Sequence, residues 1–143
     1  MAGRLAGKVA LVTGAGCVGP GWGNGRAVAV RFAEEGAAIF AVDRDAGAMA
    51  ETVERVREAG GEIVTHLADV TDSAQVAAMA DACRGRFGRI DILVNNVGGS
   101  AKGGPVEMDE AVFDAQIAYN LKSVFLTSKA VLPVMAAQGG GAI

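Results

Sequence analysis

Residues 8–25 read KVALVTGAGCVGPGWGNG. The β-branched run from Lys8 to Val12 predicts a buried strand. Six glycines fall within the twelve positions that start at Gly14, and the residues from about Arg26 to Glu35 then predict a helix. A strand, a glycine-rich loop and a helix in this order let the backbone approach a pyrophosphate closely, while the helix N-terminus supplies unpaired N–H groups. The segment therefore favours a phosphate-binding loop over a flexible surface loop.

Three of these glycines, Gly14, Gly16 and Gly19, match the fingerprint G-x-G-x-x-G. In proteins that use this fingerprint the helix opens inside the motif. Here Pro20 and the glycines after it disfavour helix for several more residues. We therefore expect the helix to begin later than the fingerprint alone implies.

Short β-branched runs and longer amphipathic stretches alternate along the rest of the chain. Further strands are predicted at 37–42, 62–67 and 90–94. The helices between them are predicted to open at Asp45 and at Thr71 or Asp72, which are typical N-cap residues. Two more helical stretches follow, one from about Asp109 and one from about Asn120 to Ala137.

This alternation predicts parallel βαβ units, and hence a doubly wound α/β sheet with helices on both faces. Three glycines at 139–141 end the last helix, and the apolar residues Ala142 and Ile143 follow. We therefore expect a sheet that is truncated after strand four or at the start of strand five.

The length and composition favour a single soluble domain. The chain has 143 residues, close to the ~150 of a typical domain. Its 51% hydrophobic and 20% charged residues exclude a disordered chain. The net charge of −3, without a long run of one sign, indicates no surface for nucleic acid.

Membrane and metal sites are not expected either. No apolar stretch approaches the ~18 residues that span a bilayer, and the N-terminus does not resemble a signal peptide. We therefore expect a cytoplasmic protein with reduced thiols. One histidine, His66, and two distant cysteines, Cys17 and Cys83, are too few for a structural zinc site, which needs four ligands.

Polar residues follow the predicted strands. Asp43 lies 18 residues after Gly25, close to the ~20 expected for a carboxylate that accepts hydrogen bonds from ribose hydroxyls. Capping of the next helix is an equally good interpretation of Asp43 and of Asp69. After strand four, Asn95, Asn96 and Gly98 place two amides and a glycine at the sheet edge where open α/β sheets bind ligands.

Five motifs follow one another in order: Thr13-Gly14-Ala15 with Gly23-Asn24-Gly25, Asp43, Asp69-Val70, Asn95-Asn96-Val97-Gly98, and Asn120-Leu121-Lys122-Ser123-Val124-Phe125. Together they closely resemble the short-chain dehydrogenase/reductase family, and the resemblance covers essentially the whole chain. The resemblance implies that residues 1–143 form a single NAD(P)-binding Rossmann domain, C-terminally incomplete relative to the family. The implied cofactor-binding residues are Thr13, Gly14, Gly23, Asn24, Gly25, Asp43, Arg44, Asp69, Val70, Asn95, Asn96 and Gly98.

The family pattern also implies individual roles. Asp69 would contact the adenine side of the cofactor, and Asn120 would act in catalysis by holding a water of the proton relay. An acidic residue at the position of Asp43 usually favours NAD, because a carboxylate repels the 2′-phosphate of NADP. The neighbouring Arg44 could bind that phosphate, so NAD is the preferred cofactor and NADP stays open.

Two departures from the family pattern affect these expectations. Gly14 and Gly23 are nine positions apart instead of four, so five residues are inserted, and the glycines that contact the pyrophosphate stay undetermined. Trp22, in the insertion, is expected to pack on the surface. The family also uses a serine and a Tyr-x-x-x-Lys pair, whereas the only tyrosine here is Tyr119, with Ser123 four residues later. We therefore predict that Tyr119 packs and that the 143-residue chain alone is inactive.

The resulting hypothesis is an NAD(P)-dependent oxidoreductase that transfers hydride between nicotinamide and a small-molecule alcohol or ketone. The intact parent would be a homo-oligomer, by the same resemblance. A non-catalytic nucleotide-binding module is the alternative. An S-adenosylmethionine-dependent methyltransferase also uses a glycine loop and an acidic residue after strand two, but the segment 95–98 together with Asn120 argues against it.

Overall fold

The computed structural model describes residues 3–143 and contains a four-stranded sheet. Its strands are β1 (Val9–Thr13), β2 (Ala38–Asp43), β3 (Ile63–Leu67) and β4 (Ile92–Val94). They lie in the order β3-β2-β1-β4, and every neighbouring pair is parallel. The predicted doubly wound parallel sheet is therefore confirmed.

Residues 3–143 contain five α-helices. They are α1 (Asn24–Glu34), α2 (Ala46–Glu58), α3 (Ser73–Phe87), α4 (Glu110–Ile117) and α5 (Ser123–Ala137). Helices α1 and α2 pack on one face of the sheet, and α3 and α5 pack on the other. None of the helices in residues 3–143 has the length and apolar character needed to cross a membrane.

Alternate residues of the central strands form two separate cores. Ala10 and Val12 of β1 face α1 and α2, whereas Leu11 faces α3 and α5. Because β1 is buried along its full length, both faces are apolar, as expected for a parallel sheet covered on two sides.

The capping residues predicted from the sequence are confirmed. Asp45 accepts a hydrogen bond from the Gly47 N–H at 2.8 Å, and Asp72 accepts one from the Ala74 N–H at 2.9 Å. Gly36 and Gly88 both follow a helix with positive φ, at 92° and 76°, which a glycine adopts without steric cost.

The fourth strand is shorter than predicted. It begins at Ile92 because the buried Asp91 side chain, rather than a main-chain carbonyl, accepts the Val9 N–H at 2.9 Å. Arg89 donates two hydrogen bonds to the same carboxylate, at 2.7 and 2.6 Å. On the free edge of β4, Ala142 pairs in parallel with Ile92, which confirms the predicted start of a fifth strand.

The long helix predicted from Asn120 has a different form. Helix α4 runs directly into a π-helical turn, Ala118–Lys122, and α5 follows without a break. Asn120 therefore lies inside the π-helical turn and not at a helix start. Such turns insert an extra residue into a helix and often occur at functional sites.

Candidate functional site

A cleft of about 890 Å³ opens at the carboxyl ends of the parallel strands. Its walls come from the loops after all four strands and from the starts of α1 and α2. The volume lies within the range of small-molecule and cofactor sites. Ligands of open α/β sheets bind at this edge, beside the point where the strand order reverses, which here lies between β1 and β4.

The loops after β1 and β4 are bonded to each other at the floor of the cleft. The Thr13 hydroxyl donates to the Val94 carbonyl at 3.1 Å and accepts from the Asn96 N–H at 3.2 Å. The Asn96 side-chain amide donates to the Gly14 carbonyl at 3.0 Å. Thr13 is buried and lies behind the lining, so it supports the loop from below.

The start of α1 packs against the same loop with no room for a side chain. A Cβ on Gly25 would overlap the Gly14 carbonyl oxygen and would lie 2.6 Å from the Asn96 amide nitrogen. Gly14 itself has φ of +61°, which glycine tolerates better than other residues. These two glycines allow α1 to begin directly at the cleft.

The N-terminus of α1 is open toward the cleft. Its N-cap, Gly23, has no side chain to cap the helix, and the first turn contains no acidic residue. Gly23, Asn24 and Gly25 all line the cleft. Unpaired N–H groups and the positive end of the helix dipole therefore face the cavity, an arrangement suited to an anion.

The first part of the loop after β1 is hydrogen-bonded to the turn between β2 and α2. The Gly16 N–H donates to the Asp43 carboxylate at 3.0 Å, and the Cys17 N–H donates to the Ala48 carbonyl at 3.2 Å. Gly19 has open space around it. Because α1 begins only at Asn24, the helix does not open inside the G-x-G-x-x-G match, as expected, although it starts two residues earlier than predicted.

Asp43 and Arg44 lie side by side at the rim of the cleft. A second oxygen of the Asp43 carboxylate accepts the Asp45 N–H at 3.2 Å. The Arg44 guanidinium carbon lies 5.5 Å from the centre of the Tyr119 ring, within the range of a cation–π contact. Tyr119 is half-buried and lines the cleft.

Asp69 is held mainly by its own turn. Its carboxylate accepts the Thr71 hydroxyl at 2.7 Å and the Thr71 N–H at 2.9 Å. These two hydrogen bonds, helped by the charge of Arg44, lower the pKa of Asp69 below its ordinary value. Asp69 and the buried Val70 both line the cleft.

Besides Thr13, two further predicted site residues, Asn95 and Asn120, lie outside the lining. Asn95 turns toward α5, where its amide oxygen accepts the Thr127 hydroxyl at 2.6 Å. The side-chain amide of Asn120 makes two hydrogen bonds with Gly99: its nitrogen donates to the Gly99 carbonyl and its oxygen accepts from the Gly99 N–H, each at 2.9 Å. The Asn120 side chain therefore fixes the loop after β4.

The structure brings most of the predicted residues together. The lining contains Gly14, Gly23, Asn24, Gly25, Asp43, Arg44, Asp69, Val70, Asn96 and Gly98. The lining residues that sequence reasoning missed include Arg26, Glu51 and Tyr119, and Gly16 of the fingerprint match also lines the cleft. Among residues 3–143 no group of acidic, histidine or cysteine side chains could hold a metal ion.

Comparison with known proteins gives consistent matches. A family model described as short chain dehydrogenase matches residues 8–143. The 7alpha-hydroxysteroid dehydrogenase of Escherichia coli strain K12 is 38% identical over 142 residues, which cover 98% of this chain and 52% of that protein. The chain spans about half the length of the curated relatives it matches.

Solved structures agree over nearly the whole chain. A Burkholderia xenovorans protein assigned to the short-chain dehydrogenases/reductases has a TM-score of 0.98 at 63% identity, and the match covers 99% of this chain and 54% of that one. An NAD+-bound xylitol dehydrogenase has a TM-score of 0.88 at 37% identity, with 96% and 52% covered. A metagenomic short-chain oxidoreductase in complex with NADP has a TM-score of 0.87 at 38% identity, with 96% and 60% covered.

Proposed function

Because this chain belongs to the short-chain dehydrogenase family, we propose that it forms the NAD(P)-binding domain of an oxidoreductase acting on a small-molecule alcohol or ketone. The observation that carries the proposal is the open N-terminus of α1 facing the Asp43 carboxylate across one cleft. The N-terminus of α1 suits a pyrophosphate and the Asp43 carboxylate suits a ribose diol, and a dinucleotide contains both groups. When bound, the nicotinamide ring supplies or accepts the hydride.

The residues present fit such a cofactor by their chemistry. The N–H groups at Gly23, Asn24 and Gly25 supply donors for the pyrophosphate, and no acidic side chain in the first turn of α1 opposes it. Asp43 supplies an acceptor for ribose hydroxyls. Asp69 and Val70 would border the adenine, as in the family.

The same 143 residues contain no Tyr-x-x-x-Lys pair. Tyr119 is followed by Lys122 at three residues and by Ser123 at four, and its ring contacts Arg44. We assign Tyr119 to the wall of the cleft and not to proton transfer. For Asn120 we retain a role in the proton relay, exerted through the position of its main chain, since its amide is occupied by Gly99.

Direct titration tests the proposal. Adding NADH to the 143-residue chain is expected to give saturable binding by calorimetry, with a matching loss of emission from Trp22, the only tryptophan. S-adenosylmethionine serves as the competing ligand. Binding of S-adenosylmethionine in preference to NADH would contradict the proposal. Turnover of ketones by this chain at ordinary enzyme rates would contradict the assignment of Tyr119.

We also propose that NAD is preferred over NADP. Asp43 accepts hydrogen bonds from Gly16 and Asp45, so its carboxylate is held at the rim, with the Asp45 carboxylate beside it. A 2′-phosphate would lie against these two negative groups. Arg44, next to Asp43 in the chain, would favour it.

The variant Asp43→Ser tests this preference. We expect NADH affinity to fall about tenfold, because hydrogen bonds to a charged acceptor contribute roughly 1.5–3 kcal/mol, while NADPH affinity stays equal or rises. Calorimetric titration with both cofactors measures the ratio. The control is Asp81→Asn on the exposed face of α3, which changes the same charge far from the cleft. An unchanged ratio in Asp43→Ser would disprove the assignment.

We further propose that the chain associates with a second copy through α4 and α5. Exposed apolar side chains recur every four residues along α4, the π-helical turn and the start of α5, at Phe113, Ile117, Leu121 and Phe125. Phe113 is 55% exposed and Phe125 is 60% exposed. A continuous apolar row of this kind marks an interaction surface, and self-complementary faces produce dimers.

Analytical ultracentrifugation tests this association. We expect the wild-type chain to form dimers at micromolar concentration and the double variant Phe113→Ser, Phe125→Ser to be monomeric. Leu67→Ser removes an equally exposed apolar side chain, 56% accessible at the end of β3, and should leave the dimer intact. A monomeric wild type would rule out the proposed interface.

A further inference from the structure

Arg26 is a buried cation that the proposed chemistry does not use. It lies in the first turn of α1, and only 2% of its surface is exposed. Its Nε donates to the Thr52 hydroxyl at 3.1 Å, and its Nη2 donates to the Ala48 carbonyl at 3.2 Å. Its Nη1 donates to Glu51 at 2.6 Å and also to the Gly21 carbonyl. Protein groups therefore use most of the guanidinium donors.

These contacts hold both ends of the longer loop, which we define as residues 15–22. At the start of the loop, the Thr52 hydroxyl donates to the Ala15 carbonyl at 2.8 Å. At its end, Arg26 binds the Gly21 carbonyl. Thr52 and Arg26 are themselves bonded, so one connected group of side chains fixes the two loop ends relative to α2.

The same group extends to the outer surface of the loop. Glu51, bonded to Arg26, also accepts hydrogen bonds from Arg55 at 2.8 and 2.6 Å. The hydrogen bond from Arg55, with the charge of Arg26, lowers the pKa of Glu51 below its ordinary value. Arg55 in turn lies 4.4 Å from the centre of the Trp22 ring. Trp22 packs on the surface, as predicted, and it does so on this arginine.

The longer loop requires side-chain contacts from α1 and α2 because its own residues are conformationally flexible. Glycines at 16, 19 and 21 give it wide conformational freedom, and fixing such residues is entropically costly. Gly21 has φ of +95°, and a Cβ added there would meet no atom within 4 Å. The planar fork of an arginine can bind several oxygens at fixed angles, whereas a lysine ammonium cannot.

We propose that Arg26 is a positioning residue of the dinucleotide site: it fixes the longer loop against α2 and so keeps the loop backbone ordered at the mouth of the cleft. The inference rests on the proposed function. Arg26 acts through Gly21 and Thr52, and its remaining donor capacity is too small for it to serve as a phosphate ligand. Without Arg26, the loop has to be ordered when the cofactor binds, which weakens binding.

Three variants test the role of Arg26. Arg26→Lys keeps a partner for Glu51 but cannot hold Gly21 and Thr52 together. Thr52→Val is nearly isosteric and removes the bonds to Ala15 and Arg26. Arg31→Met is the control, because Arg31 is an exposed arginine of the same helix that pairs with Glu34 and Glu35.

Trp22 supplies a readout that overall stability does not. Trp22 is already 59% exposed in the free protein, so acrylamide quenching is expected to rise by about 1.5-fold in Arg26→Lys and Thr52→Val, and to stay unchanged in Arg31→Met. NADH dissociation constants from calorimetry are expected to rise about tenfold in Arg26→Lys and severalfold in Thr52→Val. Thermal unfolding of each variant shows whether it remains folded at the temperature of the titration.

The outcomes are separable. Quenching and affinity in folded Arg26→Lys that both match the wild type overturn the proposal, as does an equal loss of affinity in Arg31→Met. If Arg26→Lys does not fold, the same criteria apply to Thr52→Val. If the wild type fails to bind NADH, the proposed function fails, while the quenching of free Trp22 still decides whether Arg26 orders the loop.

Discussion

Replacing Gly25 with alanine is expected to abolish measurable NADH binding and to lower the free energy of unfolding by about 3 kcal/mol, the upper range for overpacking. The added Cβ would overlap the Gly14 carbonyl oxygen and crowd the Asn96 amide. The Gly14 carbonyl is a main-chain group in the loop after β1, so it cannot move away as the end of a flexible side chain could. Helix α1 must move away, and its N–H donors move with it.

Gly85→Ala provides the matched control. Gly85 lies on the exposed side of α3, and a Cβ there would meet no atom within 4 Å. Alanine in place of glycine inside a helix stabilises it by roughly 0.5–1 kcal/mol. Urea unfolding of both variants and calorimetric titration with NADH check the pair. Normal NADH affinity in Gly25→Ala would show that the close approach of α1 to Gly14 is not required for binding.

The second large effect is expected at Asp91. Asp91→Ala leaves the Val9 N–H without its acceptor and removes the ion pair with Arg89. A buried donor left unsatisfied costs roughly 1–3 kcal/mol, and Arg89 is itself 47% exposed, so its loss of a partner adds little. We therefore expect a loss of about 2–3 kcal/mol at pH 7, measured by urea unfolding.

The effect of Asp91 depends on pH in a defined direction. Burial alone would raise the pKa of this carboxyl, but the hydrogen bonds from Arg89 and the Val9 N–H outweigh burial and lower the pKa below its ordinary value. A carboxyl with a lowered pKa stabilises the folded state above its unfolded pKa of about 4. That stabilisation is lost as the pH falls through the folded pKa.

The unfolding free energies of wild type and Asp91→Ala should therefore converge as the pH is lowered from 5 toward 3. Asp81→Asn is the control, since Asp81 is exposed and its distance to Arg84 is 3.8 Å. It should change stability by less than about 0.5 kcal/mol. A constant difference between wild type and Asp91→Ala across the pH range would contradict the role assigned to this carboxylate.

The sheet could be predicted from the sequence because its signals are local. β-branched runs, N-cap residues such as Asp45 and Asp72, and glycines after helices each act within a few positions of the chain. The bounds of β4 could not be predicted, because they depend on a contact between Asp91 and Val9, which lie 82 residues apart. The π-helical turn at Asn120 likewise leaves no mark in the hydrophobic periodicity.

In the candidate site, too, residues with a local sequence signal were predicted, and residues that depend on long-range contacts were not. Asp43 and Asn96 were predicted because they follow strands whose ends meet at one edge of the sheet. Arg26 was missed because an arginine after a glycine loop reads as a solvated helix residue, and only the folded positions of Thr52 and Gly21 explain its burial. Tyr119 was predicted to pack, and its place in the cleft wall depends on Arg44.

The anchoring of residues 15–22 has a consequence for protein engineering. The side chains that hold this loop come from α1 and α2, at Arg26, Glu51, Thr52 and Arg55. If this loop were grafted alone onto a homologous protein, the side chains that hold it would be missing. If the loop were shortened in this protein, the buried Arg26 guanidinium would lose hydrogen-bond acceptors. Residues 15–22 therefore have to be exchanged together with the parts of α1 and α2 that hold them.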